Sequence, residues 1–178
     1  MNVYKGFVTV KKVGQHEVVC TTNAVAFLFA DPVRKIALLI EQCREPMIRR
    51  GNPRGAIIEV PAGRRDEKIG VKALVVKEAR EEVGKRITAK QVKLLNRGVP
   101  LASSPGVLTE RLWLAYIEMD LRSCIKDSHR IYGLVAHGER IRRRVVTFTE
   151  LEQMTFGDMK TFALVQWFLN EQRRKGRR

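Results

Sequence analysis

The sequence predicts an α/β fold in which helices pack against a mixed β-sheet. Short segments rich in β-branched and aromatic residues, such as residues 25–30 and 36–42, recur between turn residues over the first two thirds of the chain. Two longer segments, residues 67–83 and 158–172, instead repeat apolar residues at helical spacing. No internal repeat or Pro/Gly/Ser-rich linker divides the chain, and we therefore expect one domain over residues 1–178.

The boundaries of these elements follow from local signals. The first helix should begin near residue 67, with Asp66 as its N-cap, and end at Gly84, because glycine readily adopts the left-handed conformation that closes a helix. The second helix should begin at Asp158 and lead into a basic tail at residues 173–178. The predicted strands cover residues 3–10, 17–20, 25–30, 36–42, 57–60, 92–98, 112–119 and 145–148.

Basic residues outnumber acidic ones in this chain. The 34 Lys and Arg residues against 19 Asp and Glu residues give a formal net charge of +15. Such an excess indicates either a polyanionic partner such as RNA or a protein that acts on phosphorylated substrates, and we favour the second interpretation. The basic tail is typical of a solvated chain end and receives no role in a site.

No stretch of the sequence is long and apolar enough to cross a membrane. The longest apolar runs, NAVAFLFA and IALLI, fall short of the roughly 20 residues that a membrane-spanning helix needs. The N-terminal segment also lacks the uninterrupted apolar core of a secretory signal. We therefore expect a soluble, cytoplasmic protein without a membrane partner. The widely spaced Cys20, Cys43 and Cys124 form no CxxC pair, which predicts neither a disulfide framework nor a zinc site.

An acidic cluster interrupts this basic chain. In the segment KEAREEVGK, residues 77–85, Glu78 and Glu82 continue the apolar stripe of the predicted helix, and Glu81 lies beside them. The C-terminal end of a helix carries a negative pole, so nothing local stabilises this arrangement. One interpretation is a solvated face with ion pairs to nearby lysines, and the other is a metal site. The inward stripe favours the metal site, and Mg²⁺ suits oxygen ligands and phosphorylated substrates.

The segment GRRDEKIGVKALVVKEAREEVGK, residues 63–85, resembles the Nudix box. That pattern reads Gly, five residues, Glu, seven residues, Arg-Glu, an apolar residue, any residue, Glu-Glu, any residue, Gly and an apolar residue. The matched positions are Gly63, Glu78, Ala79, Glu81, Glu82 and Gly84. The positions that depart from the pattern are Ile69, Lys77 and Lys85. The resemblance implies that the glutamates which bind metal in the family are all present.

Further segments resemble the branch of this family that hydrolyses ADP-ribose and other nucleoside diphosphate sugars. In chain order they are EQCREP, IIEVPAG, SSPGVLTE, GERI and DMKT. The resemblance implies the Nudix α/β/α sandwich around a mixed β-sheet, and a homodimer that shares N-terminal strands within about residues 1–20. It also implies Mg²⁺ as cofactor, with Mn²⁺ as an alternative. The implied reaction is hydrolysis of a nucleoside diphosphate sugar such as ADP-ribose to a nucleoside monophosphate and a sugar phosphate.

The resemblance also assigns roles to individual residues, carried over position by position. It implies that the Ala62 backbone carbonyl, Glu78 and Glu82 are the metal ligands. It places Arg44 against the substrate phosphates, and Glu59 and Glu110 in the same pocket. For Arg44 and Glu110 the alternative is a structural ion pair. Glu139 is the candidate for handling the attacking water, and Glu81 is the second candidate.

One departure lies outside the box. The segment VAHGERIRRRVV, residues 135–146, is rich in arginine where members of this branch tend to have an acidic loop. The change indicates altered substrate choice, a longer polyphosphate or nucleic-acid substrate, or loss of catalysis with retention of binding. The competing hypothesis is therefore a catalytically weak Nudix domain that binds RNA or a ribonucleoprotein through its basic surface. The intact metal glutamates favour the hydrolase, so a nucleic-acid partner is not the preferred prediction.

Overall fold

The computed structural model describes residues 2–5, 8–65, 68–126, 130–134 and 138–176. The helices in these ranges are α1 (Val71–Val83), α2 (Arg122–Lys126), α3 (Phe148–Gln153) and α4 (Met159–Gly176). The strands are β1 (Asn2–Lys5), β2 (Thr9–Val13), β3 (His16–Cys20), β4 (Ala24–Asp31), β5 (Ile36–Cys43), β6 (Ala56–Glu59), β7 (Ala62–Arg64), β8 (Lys93–Leu94), β9 (Leu101–Ala102), β10 (Arg111–Glu118), β11 (Ile131–Tyr132) and β12 (Ile141–Thr147). Short 3₁₀ turns cover Glu45–Met47, Ala89–Gln91 and Asn96–Gly98.

A large mixed sheet forms the centre of the fold. Its strands follow the order β11-β12-β5-β4-β10-β8, and β6, β7 and β9 pair with β5, β4 and β10. Strand β10 runs parallel to β4, whereas the other pairings in this sheet are antiparallel. A second, antiparallel sheet contains β1, β2 and β3. The fold is thus the predicted α/β sandwich around a mixed sheet.

Strand β4 shows how the two faces of the large sheet are covered. Successive side chains of a strand point to opposite faces, and those of β4 are buried on both. One set, including Leu28, packs in a cluster with Leu164 and Phe168 of α4. The alternate set, including Phe27, packs with Leu74 of α1. The sheet therefore fixes α1 and α4 on opposite faces.

Helix α1 confirms the predicted end but not the predicted start. Gly84 is the C-cap with φ 60°, and its N–H bonds to carbonyls of the last turns, as expected for a left-handed terminus. The helix begins at Val71 rather than near residue 67, because Gly70 holds an extended conformation with φ −66° and ψ 151°. Asp66 and Glu67, the predicted N-cap and first helical residue, lie outside the described residues.

Helix α4 is longer than predicted. The carboxylate of Asp158 accepts hydrogen bonds from the Thr161 N–H at 3.0 Å and from its hydroxyl at 2.6 Å, which fixes the start where the sequence places it. The helix continues to Gly176 instead of ending at residue 172. Its last turn carries Arg173, Arg174 and Lys175, which suit the negative pole of the helix dipole. Most of the predicted basic tail is therefore helical.

Several strand predictions need correction. The segment 3–10 was predicted as one strand, but β1 and β2 pair with each other in antiparallel fashion, with Tyr4 opposite Val10. Of the segment 92–98 only β8 is extended, because Asn96 and Arg97 have positive φ and turn the chain. Strand β12 starts earlier than predicted and ends at Thr147, whose side chain caps α3. The short strands β7, β9 and β11 were not predicted.

No helix in the described parts of the chain is long and apolar enough to span a membrane. The three cysteines are all free thiols, with Cys124 buried and Cys43 exposed, as the sequence predicts.

Candidate active site

The predicted site residues converge on one cleft of about 970 Å³. It lies between the C-terminal half of α1, the start of α4, strand β7 and the segments that carry Glu110 and Glu139. The predicted residues that line it are Arg44, Ala62, Glu78, Glu81, Glu82, Glu110 and Glu139. Glu59 is buried behind the cleft wall, at 2% exposure. The structure thus brings all eight predicted positions together, while their chemical roles stay predictions.

Three carboxylates of α1 line the cleft and form its acidic wall: Glu78, Glu81 and Glu82. Glu82 is the most deeply buried of them. It follows the inward stripe of α1 and is 4% exposed, and one of its oxygens accepts the Ala62 N–H at 2.8 Å. The pKa of Glu82 is raised to about 8, chiefly by burial. The neighbouring carboxylates of Glu78 and Glu139 act in the same direction, whereas the Ala62 hydrogen bond and Arg44 lower this pKa. A cation bound here would favour the ionised form of this carboxylate.

Gly63 makes room for Glu78. A Cβ atom at position 63 would overlap Cγ, Cδ and Oε1 of Glu78. Gly63 follows Ala62 in β7, which pairs with β4, so the backbone at this point is fixed by the sheet. The missing side chain therefore creates the space in which the half-buried Glu78 carboxylate lies beside strand β7.

The donor set of this wall fits a hard divalent cation that shares its coordination with substrate. Within the described residues, no group of three or more His, Cys, Asp or Glu side chains is arranged to hold a metal ion by itself. Mg²⁺ commonly takes only one or two carboxylates and completes its octahedron with waters and substrate phosphates. Glu78, Glu82 and a backbone carbonyl in β7 offer oxygen atoms of that kind. The cradle at Gly63 is the structural observation that supports the fit.

The remaining acidic residues lie at different parts of the rim. Glu81 is half-buried on α1, and Glu110 accepts a hydrogen bond from the Ser103 hydroxyl. Glu139 accepts the Leu134 N–H at 2.9 Å, so the carboxylate braces its own loop. The neighbouring Arg111 side chain donates to the Glu110 backbone carbonyl and not to its carboxylate. Ser103 therefore fixes Glu110, and Glu139 is held at the cleft by the backbone of the same loop.

A cationic wall includes Arg44 and Lys160, and buried Glu59 joins the two side chains. Oε1 of Glu59 accepts hydrogen bonds from Arg44 Nε at 2.9 Å and from Gln42 Nε2 at 2.8 Å. Oε2 of Glu59 accepts from Lys160 Nζ at 2.5 Å. Both oxygens of Glu59 are thus occupied by protein donors. In this arrangement Glu59 holds Arg44 and Lys160 in place. A contact between Glu59 and substrate stays a prediction.

Lys160 is the residue of this site that sequence reasoning missed. Its ammonium group also contacts Asp158 Oδ1 at 2.9 Å, and its side chain lines the cleft at 19% exposure. The segment DMKT was noted as a late family signature, but its position 101 residues after Glu59 gave no sign of the contact. The Thr161 hydroxyl donates to Asp158 and accepts the Val60 N–H at 3.0 Å, so the start of α4 is fastened to the residue after β6.

The arginines of residues 140–144 do not contribute to this wall. None of them is among the described residues that line the cleft. Arg142 and Arg144 are exposed on β12, and Arg143 is buried. The altered substrate choice, or the longer polyphosphate or nucleic-acid substrate, that the arginine-rich segment indicates therefore stays a prediction. His137, the other unusual residue of the segment, lies outside the described residues.

Comparison with known proteins adds one relative. A search against models of protein families finds no match. Among curated proteins, the chain is similar to a GDP-mannose pyrophosphatase from Cronobacter sakazakii, with 32% identity over 156 residues. The aligned region covers 85% of this chain and 76% of that protein. Identity of this extent over most of both chains indicates common descent.

Proposed function

This chain belongs to the Nudix family, and we propose that it hydrolyses the diphosphate bond of a nucleoside diphosphate sugar with the help of a divalent cation. The observation that carries this proposal is that one cleft is lined both by the carboxylates of α1 and by the cations Arg44 and Lys160. A diphosphate linked to two organic groups, with a cation on one side, complements such a cleft in charge.

Glu78, Glu82 and the Ala62 carbonyl would hold the cation, Mg²⁺ or Mn²⁺. When bound, it would neutralise the diphosphate oxygens, favour departure of the leaving phosphate and lower the pKa of the attacking water. The protein contributes the fixed positions of these ligands. Helix α1 packs against β4 and β7, the Ala62 N–H orients Glu82, and Gly63 admits Glu78.

Arg44 and Lys160 would bind the non-bridging oxygens of the diphosphate. The guanidinium of Arg44 uses Nε for Glu59, which leaves its two terminal nitrogens to form a fork towards phosphate. Lys160 bonds to Glu59 and Asp158, and an ammonium group has three donors, so one donor is available to a ligand. Because Glu59 fixes both cations before substrate arrives, less side-chain entropy is lost on binding.

Glu139 would position the attacking water and accept its proton. Its carboxylate faces the cleft and lies close enough to Glu82 to raise the pKa of that residue. Glu81 is the second candidate for this step, because it lines the same cleft from α1. Proton transfer by a positioned carboxylate typically contributes about 10² to 10⁴ in rate.

Two substrates are the first to test. GDP-mannose is the substrate in the name of the similar pyrophosphatase. ADP-ribose is implied by the resemblance of the signature segments to the branch that hydrolyses it. Both are nucleoside diphosphate sugars, and hydrolysis of either would yield a nucleoside monophosphate and a sugar phosphate. We also propose that the protein acts as a homodimer.

The experiment is a product-release assay over a panel of diphosphates with Mg²⁺ or Mn²⁺. The panel contains GDP-mannose, ADP-ribose, other nucleoside diphosphate sugars, a dinucleoside polyphosphate and capped RNA, and the control variant is Glu82→Gln. Turnover of a nucleoside diphosphate sugar that needs the cation and disappears in Glu82→Gln is the expected result. Absence of turnover on every diphosphate, together with steeply salt-dependent RNA binding, would instead support the competing role of a basic binding module.

A further inference from the structure

The C-terminal end of α1, which carries Glu81 and Glu82, is capped by a side chain from a distant strand. The last carbonyls of a helix have no partner within it. The Val83 carbonyl accepts hydrogen bonds from both Nε, at 2.8 Å, and Nη2 of Arg143 in β12. Arg143 is 7% exposed, so this contact is shielded from water. A buried guanidinium therefore stands at the negative pole of the helix that bears the acidic wall.

The same group of contacts reaches the loop that carries Glu139. The Arg143 guanidinium lies 4.1 Å from the centre of the Tyr132 ring in β11. The next residue, Gly133, donates its N–H to the Glu81 carbonyl at 3.2 Å. Leu134 then donates its N–H to the Glu139 carboxylate at 2.9 Å. One continuous set of contacts thus joins the end of α1 to Glu139.

We propose that Arg143 is a positioning residue that sets the acidic end of α1 at a fixed distance from Glu139. The proposal rests on the proposed function, because it assigns the two sides of this contact to metal binding and to water activation. Arg143 is not among the described residues that line the cleft. Its effect on the reaction passes through the Val83 carbonyl and the Tyr132 ring.

Arginine is suited to this position for three physical reasons. Two of its donors converge on one carbonyl, which fixes direction as well as distance. Its planar guanidinium stacks on an aromatic face, as it does on Tyr132. An arginine side chain is charged at every physiological pH, so it offsets the negative pole of the helix dipole. Gly84 contributes by having no side chain, since a Cβ there would clash with the Tyr132 ring.

The test compares Arg143→Met with Arg144→Met, its exposed neighbour in the same strand. Three measurements are made: steady-state kinetics, which give kcat and KM for the best substrate; the Mn²⁺ dissociation constant of the substrate-free protein; and the melting temperature. We expect Arg143→Met to lower kcat by about 10- to 100-fold, the cost of a misplacement near 1 Å, with KM nearly unchanged. The Mn²⁺ dissociation constant should rise at least about fivefold, because Glu82 moves with the end of α1. Arg144→Met should match the wild type in all three measurements.

Variants of Tyr132 and a conservative change at Arg143 keep the test decisive if Arg143→Met folds poorly. The Tyr132 hydroxyl is buried and has no hydrogen-bond partner among the described residues, so Tyr132→Phe should behave as the wild type. Tyr132→Leu, which removes the stacking surface, should reproduce the loss of kcat. Arg143→Lys, which keeps the charge without the fork, should recover only part of kcat.

Two results would overturn the proposal. The first is a lower melting temperature in Arg143→Met with wild-type kcat and Mn²⁺ affinity, since Arg143 would then be structural only. The second is an equal loss of kcat in Arg143→Met and Arg144→Met. The loss would then be caused by the change in net charge and not by the position of Arg143. If the wild type hydrolyses no nucleotide sugar, the proposed function fails on its own, and the Mn²⁺ affinities of the variants still decide the role of Arg143.

Discussion

Replacing Gly63 by alanine should remove activity while leaving the protein folded. The new Cβ would occupy the space of the Glu78 carboxyl group, so one of the two must move. Gly63 is not among the glycines with positive φ, and alanine is therefore compatible with its backbone. The atoms in the way belong to a flexible side chain, which can swing aside. The substitution thus displaces a metal ligand rather than the strand.

The expected magnitudes follow from this geometry. Forcing Glu78 away from its present rotamer costs about 0.5 to 1.5 kcal/mol. Replacing glycine by alanine returns about 0.4 to 1 kcal/mol by restricting the unfolded chain. The net change in unfolding free energy should therefore lie within about 1 kcal/mol. A catalytic group displaced by about 1 Å, in contrast, can lose about 10²-fold in rate.

The assay pairs Gly63→Ala, in strand β7, with Gly70→Ala, a second glycine-to-alanine change at the start of α1. Gly70 is the N-cap of α1, and a Cβ there meets nothing within 4 Å. Alanine is a poor N-cap, so Gly70→Ala should lower the melting temperature at least as much as Gly63→Ala, yet keep wild-type kcat/KM and Mn²⁺ affinity. Gly63→Ala should lose about 10²-fold in kcat/KM and bind Mn²⁺ more weakly.

Two outcomes would refute this reasoning about Gly63. Wild-type kcat/KM in Gly63→Ala would mean that the position of Glu78 does not matter. Loss of the folded state would mean that the backbone, and not the side chain, has to yield. A double variant adds a further check, because Gly63→Ala should have no additional effect on activity when Glu78 is already glutamine.

Four other predictions follow from the same site. Glu82→Gln should abolish turnover and should stabilise the metal-free protein at alkaline pH. The pKa of Glu82 is raised from 4.5 to about 8, chiefly by burial, so between these pH values the folded wild type binds a proton that the unfolded chain does not. The wild type therefore loses stability as pH rises through this range, whereas the variant does not. Thermal melts in EDTA from pH 5 to 9 would show this, and parallel curves would contradict it. Glu139→Gln should lower kcat by about 10² to 10⁴ with little change in KM, and wild-type kcat in that variant would transfer the role to Glu81. Lys160→Met should raise KM by about 10-fold or more, with partial recovery in Lys160→Arg, whereas Lys175→Met at the far end of α4 should leave KM unchanged. Light scattering at micromolar concentration should report a dimer, and a monomer would count against the shared N-terminal strands.

The sequence predicted the parts of the site that depend on local periodicity. The stripe of α1 placed Glu82 inward, and its burial in the structure confirms that placement. Gly84 was predicted to end the helix, and it does so in the left-handed conformation. Residues 25–30 were predicted as a strand, and Phe27 and Phe29 within it are fully buried in β4. These predictions succeed because each depends on a few neighbouring residues whose geometry is fixed by the repeat of a helix or strand.

Only the tertiary structure decided which distant groups share a contact. Lys160 meets Glu59, and Arg143 meets the Val83 carbonyl, across 101 and 60 residues of chain. From sequence alone the resemblance places Arg44 and Glu59 in one pocket, but no pattern of residues indicates that Lys160 shares the Glu59 carboxylate. Packing decided this contact, since a buried charge must find a partner at hydrogen-bonding distance. That partner is set by how α1, α4 and β12 assemble on the sheet, which no local pattern of residues records.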